Sequence, residues 1–199
     1  MILENVTKIT DSNCVGMLQV HGSKIAIVSA KDGGHTISSC DGLVTNDPDI
    51  FLKISVADCI PLALFDPVKN CIGLVHAGWR GLDEKIIANA INAMVGSFGT
   101  NPGDILSEIG PHICQSHYEI KSDLAEKFSD FPGSIKKLDG KIFLDLADVA
   151  KSQLINCGVL PGNIKINKRC TFEDTSLPSY RRGDYKNRIH YFLKVPESP

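Results

Sequence analysis

The sequence predicts an α+β fold in a single domain over residues 1–199. Short apolar and β-branched runs crowd its first two-thirds, and one strongly amphipathic helix interrupts them. Regular strand–helix–strand alternation is absent, so a Rossmann-type sheet is not expected. The chain is 43% hydrophobic and 22% charged, ordinary values for a globular protein. At this length roughly 70% of the unfolded surface can be buried, so a core forms without disulfide staples.

Val15–Val20 and Lys24–Ala30 read as strands joined tightly through His21-Gly22-Ser23. Lys31 to Cys40, with Gly33-Gly34, reads as a polar loop. Gly42–Thr45, Phe51–Ala57, Pro61–Phe65 and Cys71–His76 are short strands. Asp66-Pro67-Val68-Lys69-Asn70 supplies hairpin-loop residues between the last two. The unbroken run Ile72-Gly73-Leu74-Val75 indicates a strand covered on both faces. The clearest helix runs from Asp83 to about Phe98, with Asp83 as N-cap and Gly99 as the stop. Ile86, Ile87, Ala90, Ile91, Met94, Val95 and Phe98 form its apolar stripe. Ser122–Phe128 and Leu146–Asn156, the latter ended by Gly158, are two further helices. Asn163–Asn167 and Ile189–Val195 are late strands. No repeat or low-complexity segment divides the chain.

Lys+Arg is 21 and Asp+Glu 23, so the net charge is −2. A general nucleic-acid or anionic-membrane binder is usually basic, so neither partner is expected. No apolar run reaches the ~20 residues of a bilayer span, and Met1-Ile2-Leu3-Glu4-Asn5 lacks signal-peptide character. The seven cysteines are odd in number and form no C-x-x-C pair, as expected for reduced thiols in the cytoplasm. Composition does not set the oligomeric state.

Common nucleotide-binding, zincin and hydrolase-elbow motifs are absent. What remains is a set of His and Cys residues at strand ends. His21 ends Met17-Leu18-Gln19-Val20, Cys59 follows Ser55-Val56-Ala57-Asp58, and His76 ends Gly73-Leu74-Val75. Strand ends at one sheet edge can meet in a cleft, and imidazole with thiolate suits Zn²⁺. Three protein ligands leave a fourth position open, the catalytic arrangement. The separations of 38 and 17 residues match no short metal pattern. On spacing alone, a buried Cys59 beside hydrogen-bonded histidines is the readier reading. His112-Ile113-Cys114-Gln115-Ser116-His117 is a denser cluster without an evident fourth ligand, and reads as a polar pocket loop. Ser179 to Arg188 holds three arginines around Gly183, fit for phosphate or for a solvated loop.

Gln19-Val20-His21-Gly22, Ala57-Asp58-Cys59-Ile60-Pro61, Val75-His76-Ala77-Gly78-Trp79-Arg80-Gly81, Gly110-Pro111 with Tyr118-Glu119-Ile120, and Tyr180-Arg181-Arg182 follow in order. Together, from about Leu18 to Phe192, they resemble the YfiH/YlmD family of laccase-domain or "polyphenol oxidase" proteins, related to purine nucleoside phosphorylases. The resemblance implies a CNF1/YfiH-like fold of mixed β-sheets packed with helices. It implies His21, Cys59 and His76 as zinc ligands. It also implies phosphorolysis of adenosine, inosine, guanosine or methylthioadenosine, and deamination of adenosine. Some members have been described instead as phenol oxidases or as amidases. Two departures stand out. The family's usual N-terminal extension, with its Thr-Thr-Arg-x-Gly-Gly-x-Ser segment, is not in this sequence. The late loop reads Arg181-Arg182-Gly183-Asp184 where the family usually has Arg-Arg-Asp-Gly.

The leading expectation is therefore a zinc-dependent purine nucleoside enzyme taking a small nucleoside and phosphate. Cys59 and His76 are its catalytic centre, with Asp58 orienting a ligand or water. Arg80, Arg182 and Arg188 are the candidates for phosphate. Trp79 is a candidate to stack on the purine, though core packing is its commoner fate. An alternative is a hydrolase or amidase with Cys59 as nucleophile and His76 as base. Another is copper-dependent phenol oxidation, since Cu²⁺ outbinds Zn²⁺ at such ligands. A true four-copper laccase needs about ten histidines, and this chain has six. A non-enzymatic interaction protein is the remaining class.

Overall fold

The computed structural model describes residues 9–196; Met1 to Asn5 lie outside them. The strands are β1 (Cys14–Met17), β2 (Ile25–Ile27), β3 (Thr36–Ile37), β4 (Gly42–Thr45), β5 (Phe51–Val56), β6 (Ile60–Asp66), β7 (Cys71–Ala77), β8 (Leu106–Ile109), β9 (Glu119–Ile120), β10 (Ile135–Leu138), β11 (Lys141–Leu144), β12 (Ile164–Ile166) and β13 (Ile189–Lys194). The helices are α1 (Trp79–Asp83), α2 (Ile86–Phe98), α3 (Ser122–Lys127) and α4 (Leu146–Asn156). None is long and apolar enough to cross a membrane. The fold is α+β with mixed sheets, as expected.

A six-stranded sheet runs in the order β12-β8-β6-β7-β4-β2, and a four-stranded sheet in the order β13-β5-β1-β3. A small sheet, β10-β11-β9, stands apart from both. Period-2 alternation divides β7 between two cores. Cys71, Val75 and Ala77 pack with Ile86, Ile87, Ile91 and Leu154 of the helices. Ile72 and Leu74 pack with Val15, Leu52 and Ile54 of the four-stranded sheet. Both faces are covered, which is why all seven β7 residues are buried. His76 falls on the face of Ile72 and Leu74, so the end of β7 delivers its ring toward the second sheet.

The β6–β7 hairpin forms where expected, with Ile60 opposite Ala77 and Asp66 opposite Cys71. Asp66 Oδ1 accepts from the amides of Val68 and Lys69 at 2.8 and 3.0 Å, closing the turn. Asp145 caps α4 by accepting from the Asp148 amide at 3.0 Å.

Several expectations are corrected. β1 and β2 are not partners: β1 pairs in parallel with β3 and β5, and β2 in parallel with β4. The sheets part company here, and Leu18 and Val20, beyond the end of β1, are exposed. The loop after Lys31 contains β3. Asp83 does not cap the long helix but ends α1; Lys85, left-handed at φ 62°, precedes α2. The apolar stripe seen in the sequence lies within α2 alone. Gly99 does terminate α2, at φ 69°, but Val95 is exposed rather than part of the stripe. Strands β8 to β11 were not expected at all.

Candidate metal centre and its cavity

Two loops, beyond the ends of β1 and β5, converge on the end of β7. His21 stands after β1 with φ 59°, and Asp58 in the β5–β6 turn with φ 78°. Each left-handed residue bends its chain sharply, placing the side chains of His21 and Cys59 in one cleft. His76 comes from β7 itself. The ligand atoms of His21, Cys59 and His76 lie within 4.8 Å of one another.

A fully buried carboxylate, Asp41, organises this cluster. Its Oδ2 accepts from the amides of Val20 at 3.1 Å and Gly22 at 2.8 Å. Its Oδ1 accepts from the His21 amide at 2.9 Å and lies 2.8 Å from His76 Nδ1. The carboxylate thus holds the His21 loop and fixes the His76 tautomer, with the proton on Nδ1 and Nε2 left for the cluster. His21 and His76 meet edge to face, with ring centroids 4.7 Å apart.

Cys59 lies deep in the molecule yet opens to the cavity. Burial would raise its thiol, but hydrogen bonds from His21 and His76, and their charge, outweigh this and bring it down to about 6. Burial would lower His76, but Asp41 and Cys59 carry it up to about 9. Burial likewise opposes ionisation of Asp41, yet the hydrogen bonds from His76, Gly22 and Val20 hold it below its ordinary value. These shifts favour a Cys59 thiolate beside a protonated His76, with the Asp41 carboxylate bracing the ring.

The donor set fits a soft divalent ion: one thiolate and two imidazoles, one already oriented by a carboxylate. Gly78 keeps the space open, since a Cβ there would lie 2.9 Å from Cys59 Sγ and 3.5 Å from His21 Cδ2. His21, Cys59 and His76 would hold such an ion, and three protein ligands would leave it able to take a further ligand.

That cavity, about 630 Å³, has the cluster at its floor. Trp79, Tyr118 and Tyr180 form walls, and Arg80, Arg181 and Arg188 stand around it. Gln19 and Ser55 also line it, pairing side chain to backbone twice at 2.9 Å. Arg80 lies over the Trp79 ring at 4.3 Å and Arg181 over Tyr118 at 5.1 Å. Among the described residues, none of these three arginines is ion-paired with a carboxylate.

Arg182 does not line the cavity. Its guanidinium donates to the carbonyls of Thr171 at 2.7 Å, Phe172 at 2.9 Å and Leu177, and pairs with Asp184 at 2.9 Å. It ties the late loop together, and Arg181 occupies the position expected of it. Asp58 is a positioning residue. Its carboxylate accepts from Thr171 Oγ1 at 2.6 Å and the Arg181 amide at 2.7 Å, so it docks the late loop while lining the cavity next to Cys59. Arg188 lines the cavity while its Nη1 donates to backbone carbonyls of its own loop, the closest Asn187 at 2.7 Å. The predicted His112 cluster divides. His112 is buried and its Nδ1 bonds the Gly110 carbonyl at 2.8 Å, whereas Cys114 and His117 face Cys170 and Glu173.

Asp41, Tyr118 and Arg181 escaped the sequence reading as site residues. Asp41 precedes β4 with no motif around it, and only the fold shows that it faces three amides. Arg181 was visible as half of an arginine pair, but which arginine faced inward was not.

The chain is similar to known proteins in sequence and in fold. The family model described as multi-copper polyphenol oxidoreductase laccase matches residues 1–190. Purine nucleoside phosphorylase YlmD of Bacillus subtilis is 30% identical over 194 residues, covering 90% of this chain and 70% of that one. A purine nucleoside phosphorylase of Deinococcus radiodurans is 36% identical over 166 residues, covering 82% of this chain and 62% of that one. Among solved structures, Bacillus licheniformis YfiH superposes with a TM-score of 0.90 at 28% identity, covering 95% of this chain and 76% of that one. YlmD of Geobacillus stearothermophilus gives 0.89 at 27% identity, covering 94% and 75%. Fold and strand-end cluster together define a laccase-domain protein with a candidate metal centre. The chain belongs to the YfiH/YlmD family.

Proposed function

We propose that this chain is a zinc-dependent purine nucleoside phosphorylase that also deaminates adenosine. The observation that carries the reading is an open His₂Cys cluster at the floor of a cavity ringed by arginines without carboxylate partners. Relatives named purine nucleoside phosphorylase support the substrate class. His21, Cys59 and His76 would hold the ion, which supplies Lewis acidity and water activation when bound.

The chain's own residues do the rest. Arg80, Arg181 and Arg188 bind phosphate and offset its charge where it meets the sugar. Trp79 and Tyr180 offer aromatic faces to the purine. Burial raises the Tyr118 hydroxyl, so it keeps its proton and serves as a donor to substrate. A phosphate oxygen bonds to the anomeric carbon as the bond to the purine nitrogen breaks. The electron pair leaves with the base, which takes up a proton, and the sugar departs as its 1-phosphate. In deamination, water exchanges for the amine at C6 and ammonia leaves.

The test is turnover of adenosine, inosine, guanosine and methylthioadenosine with and without phosphate, alongside elemental analysis. Phosphate-dependent release of free base by zinc-containing protein is expected, with inosine and ammonia marking deamination. Cys59→Ala protein with normal turnover would falsify the reading.

A second reading has its own observation. Cys59, His76 and Asp41 form a nucleophile–base–carboxylate chain, the arrangement of a cysteine hydrolase or amidase. Here alkylation of metal-free protein abolishes hydrolysis of an amide or ester, and no phosphate is needed. Copper in the same cluster would be the source of weak phenol oxidation. Only two of the six histidines enter this cluster, too few for a multicopper centre.

A further inference from the structure

A second group of soft ligands lies outside this cavity. The ligand atoms of Cys114, His117, Cys170 and Glu173 all fall within 4.8 Å of one another. Cys114 Sγ lies 3.2 Å from His117 Nδ1 and 3.7 Å from Glu173 Oε1. His117 Nδ1 lies 3.4 Å from Glu173 Oε1. A tetrahedral zinc with bonds of about 2.0–2.3 Å separates its ligand atoms by roughly 3.3–3.8 Å. Three of the four ligand atoms are therefore already close to the edges of such a tetrahedron.

The surroundings suit a bound ion. The His117 ring is stacked on Phe172, with centroids 4.5 Å apart and planes at 20°, which holds its orientation. Cys170 is buried, and its sulfur accepts a hydrogen bond from the Cys114 amide at 3.2 Å. Glu173 is exposed, so an ion can arrive from solvent. Thiolates and imidazole select zinc over magnesium or calcium. Four protein ligands close the coordination shell, the structural arrangement rather than the catalytic one.

We propose that Cys114, His117, Cys170 and Glu173 form a second, structural zinc site. It joins the loop after β8 to the 170–173 segment. That segment also serves the cavity: Thr171 Oγ1 donates to Asp58, and the Thr171 and Phe172 carbonyls hold Arg182. The ion braces the wall on which the late loop rests. The site shares no ligand with the His21–Cys59–His76 cluster and does not depend on the nucleoside reading.

Zinc is measured by elemental analysis after loading with Zn²⁺ alone and dialysis. Cys59→Ala protein should retain about one zinc per chain, and adding Cys114→Ser should remove it. In the Cys59→Ala background, Co²⁺ should give the visible bands of a tetrahedral thiolate site. Glu173→Gln, at an exposed position, keeps the fold and should weaken zinc retention. Circular dichroism confirms folding of each variant, and chelation of the Cys59→Ala protein should lower its melting temperature. Folded Cys59→Ala protein that binds no zinc overturns the assignment. So does zinc that neither Cys114→Ser nor Glu173→Gln disturbs, or a Cys114–Cys170 disulfide in zinc-free protein purified under reducing conditions. Failure of the unsubstituted protein to cleave nucleosides, with this second zinc retained, would count against the proposed activity alone.

Discussion

Replacing Asp41 with Asn tests the centre at its least exposed point. The carboxylate is fully buried and accepts four hydrogen bonds, two on each oxygen. An amide keeps only one acceptor. If its nitrogen faces Val20 and Gly22, two part-buried amides lose their partner. Each such loss costs about 1–3 kcal/mol, so about 2–6 kcal/mol together. If the amide is flipped, its nitrogen faces the His21 amide and His76 Nδ1. His76 must then accept at Nδ1 and carry its proton on Nε2, the atom turned toward Cys59, which blocks ligation. Neither orientation preserves both the loop and the ligand. For a chain of this size the melting temperature should fall by roughly 4–24 °C, and metal affinity by about 10–100-fold. Thermal denaturation of metal-free protein and metal titration against a chromophoric chelator measure the two effects. An Asp41→Asn protein melting within roughly 1 °C of the parent, with unchanged metal affinity, would refute the reasoning.

Gly78→Ala should weaken metal binding while barely moving the metal-free melting temperature. Gly78 has φ −81° and ψ 172°, open to any residue, so the added methyl acts through its 2.9 Å approach to Cys59 Sγ. Arg181→Ala should raise the KM for phosphate and shift stability by no more than about 0.5 kcal/mol. Arg182→Ala should instead destabilise by about 2–4 kcal/mol, because several loop carbonyls lose their shared donor; chemical denaturation separates the two. In metal-free protein the first thiolate to form should be that of Cys59, with an ultraviolet midpoint near 6. Burial pushes up the thiols of Cys14, Cys40, Cys71 and Cys157. His76→Asn removes a hydrogen bond and a cation, so the Cys59 midpoint should rise. The stabilisation from Cys59 grows from about pH 6 toward its ordinary value of 9.0. That from His76 is complete below 6.5 and is lost toward about 9. The two slopes oppose, so this pair should leave metal-free stability flat between pH 6.5 and about 9. A steep denaturation profile in that window that His76→Asn abolishes would contradict this.

What the sequence determined by itself was local. The β6–β7 hairpin, the α2 stop at Gly99 and the limits of α4 each follow from residues adjacent in the chain: turn formers, a left-handed glycine, a capping aspartate. The α+β class follows from the density of short apolar runs. His21, Cys59 and His76 stood out as strand-end residues, yet their spacing alone did not choose between ligands and ordinary buried groups. Tertiary structure decided the rest, because it depends on which strand ends meet. β1 and β2 look like neighbours in the chain and belong to different sheets. Short strands such as β3 and β9 gain their partners only from distant segments, so local pattern cannot announce them. Asp41 acquires its role from three amides some twenty residues away and a histidine on β7. Arg181 and Arg182 are chemically alike in sequence. One faces the cavity and the other holds the loop because Asp58 takes the Arg181 amide, while the 171–177 carbonyls converge on the Arg182 guanidinium.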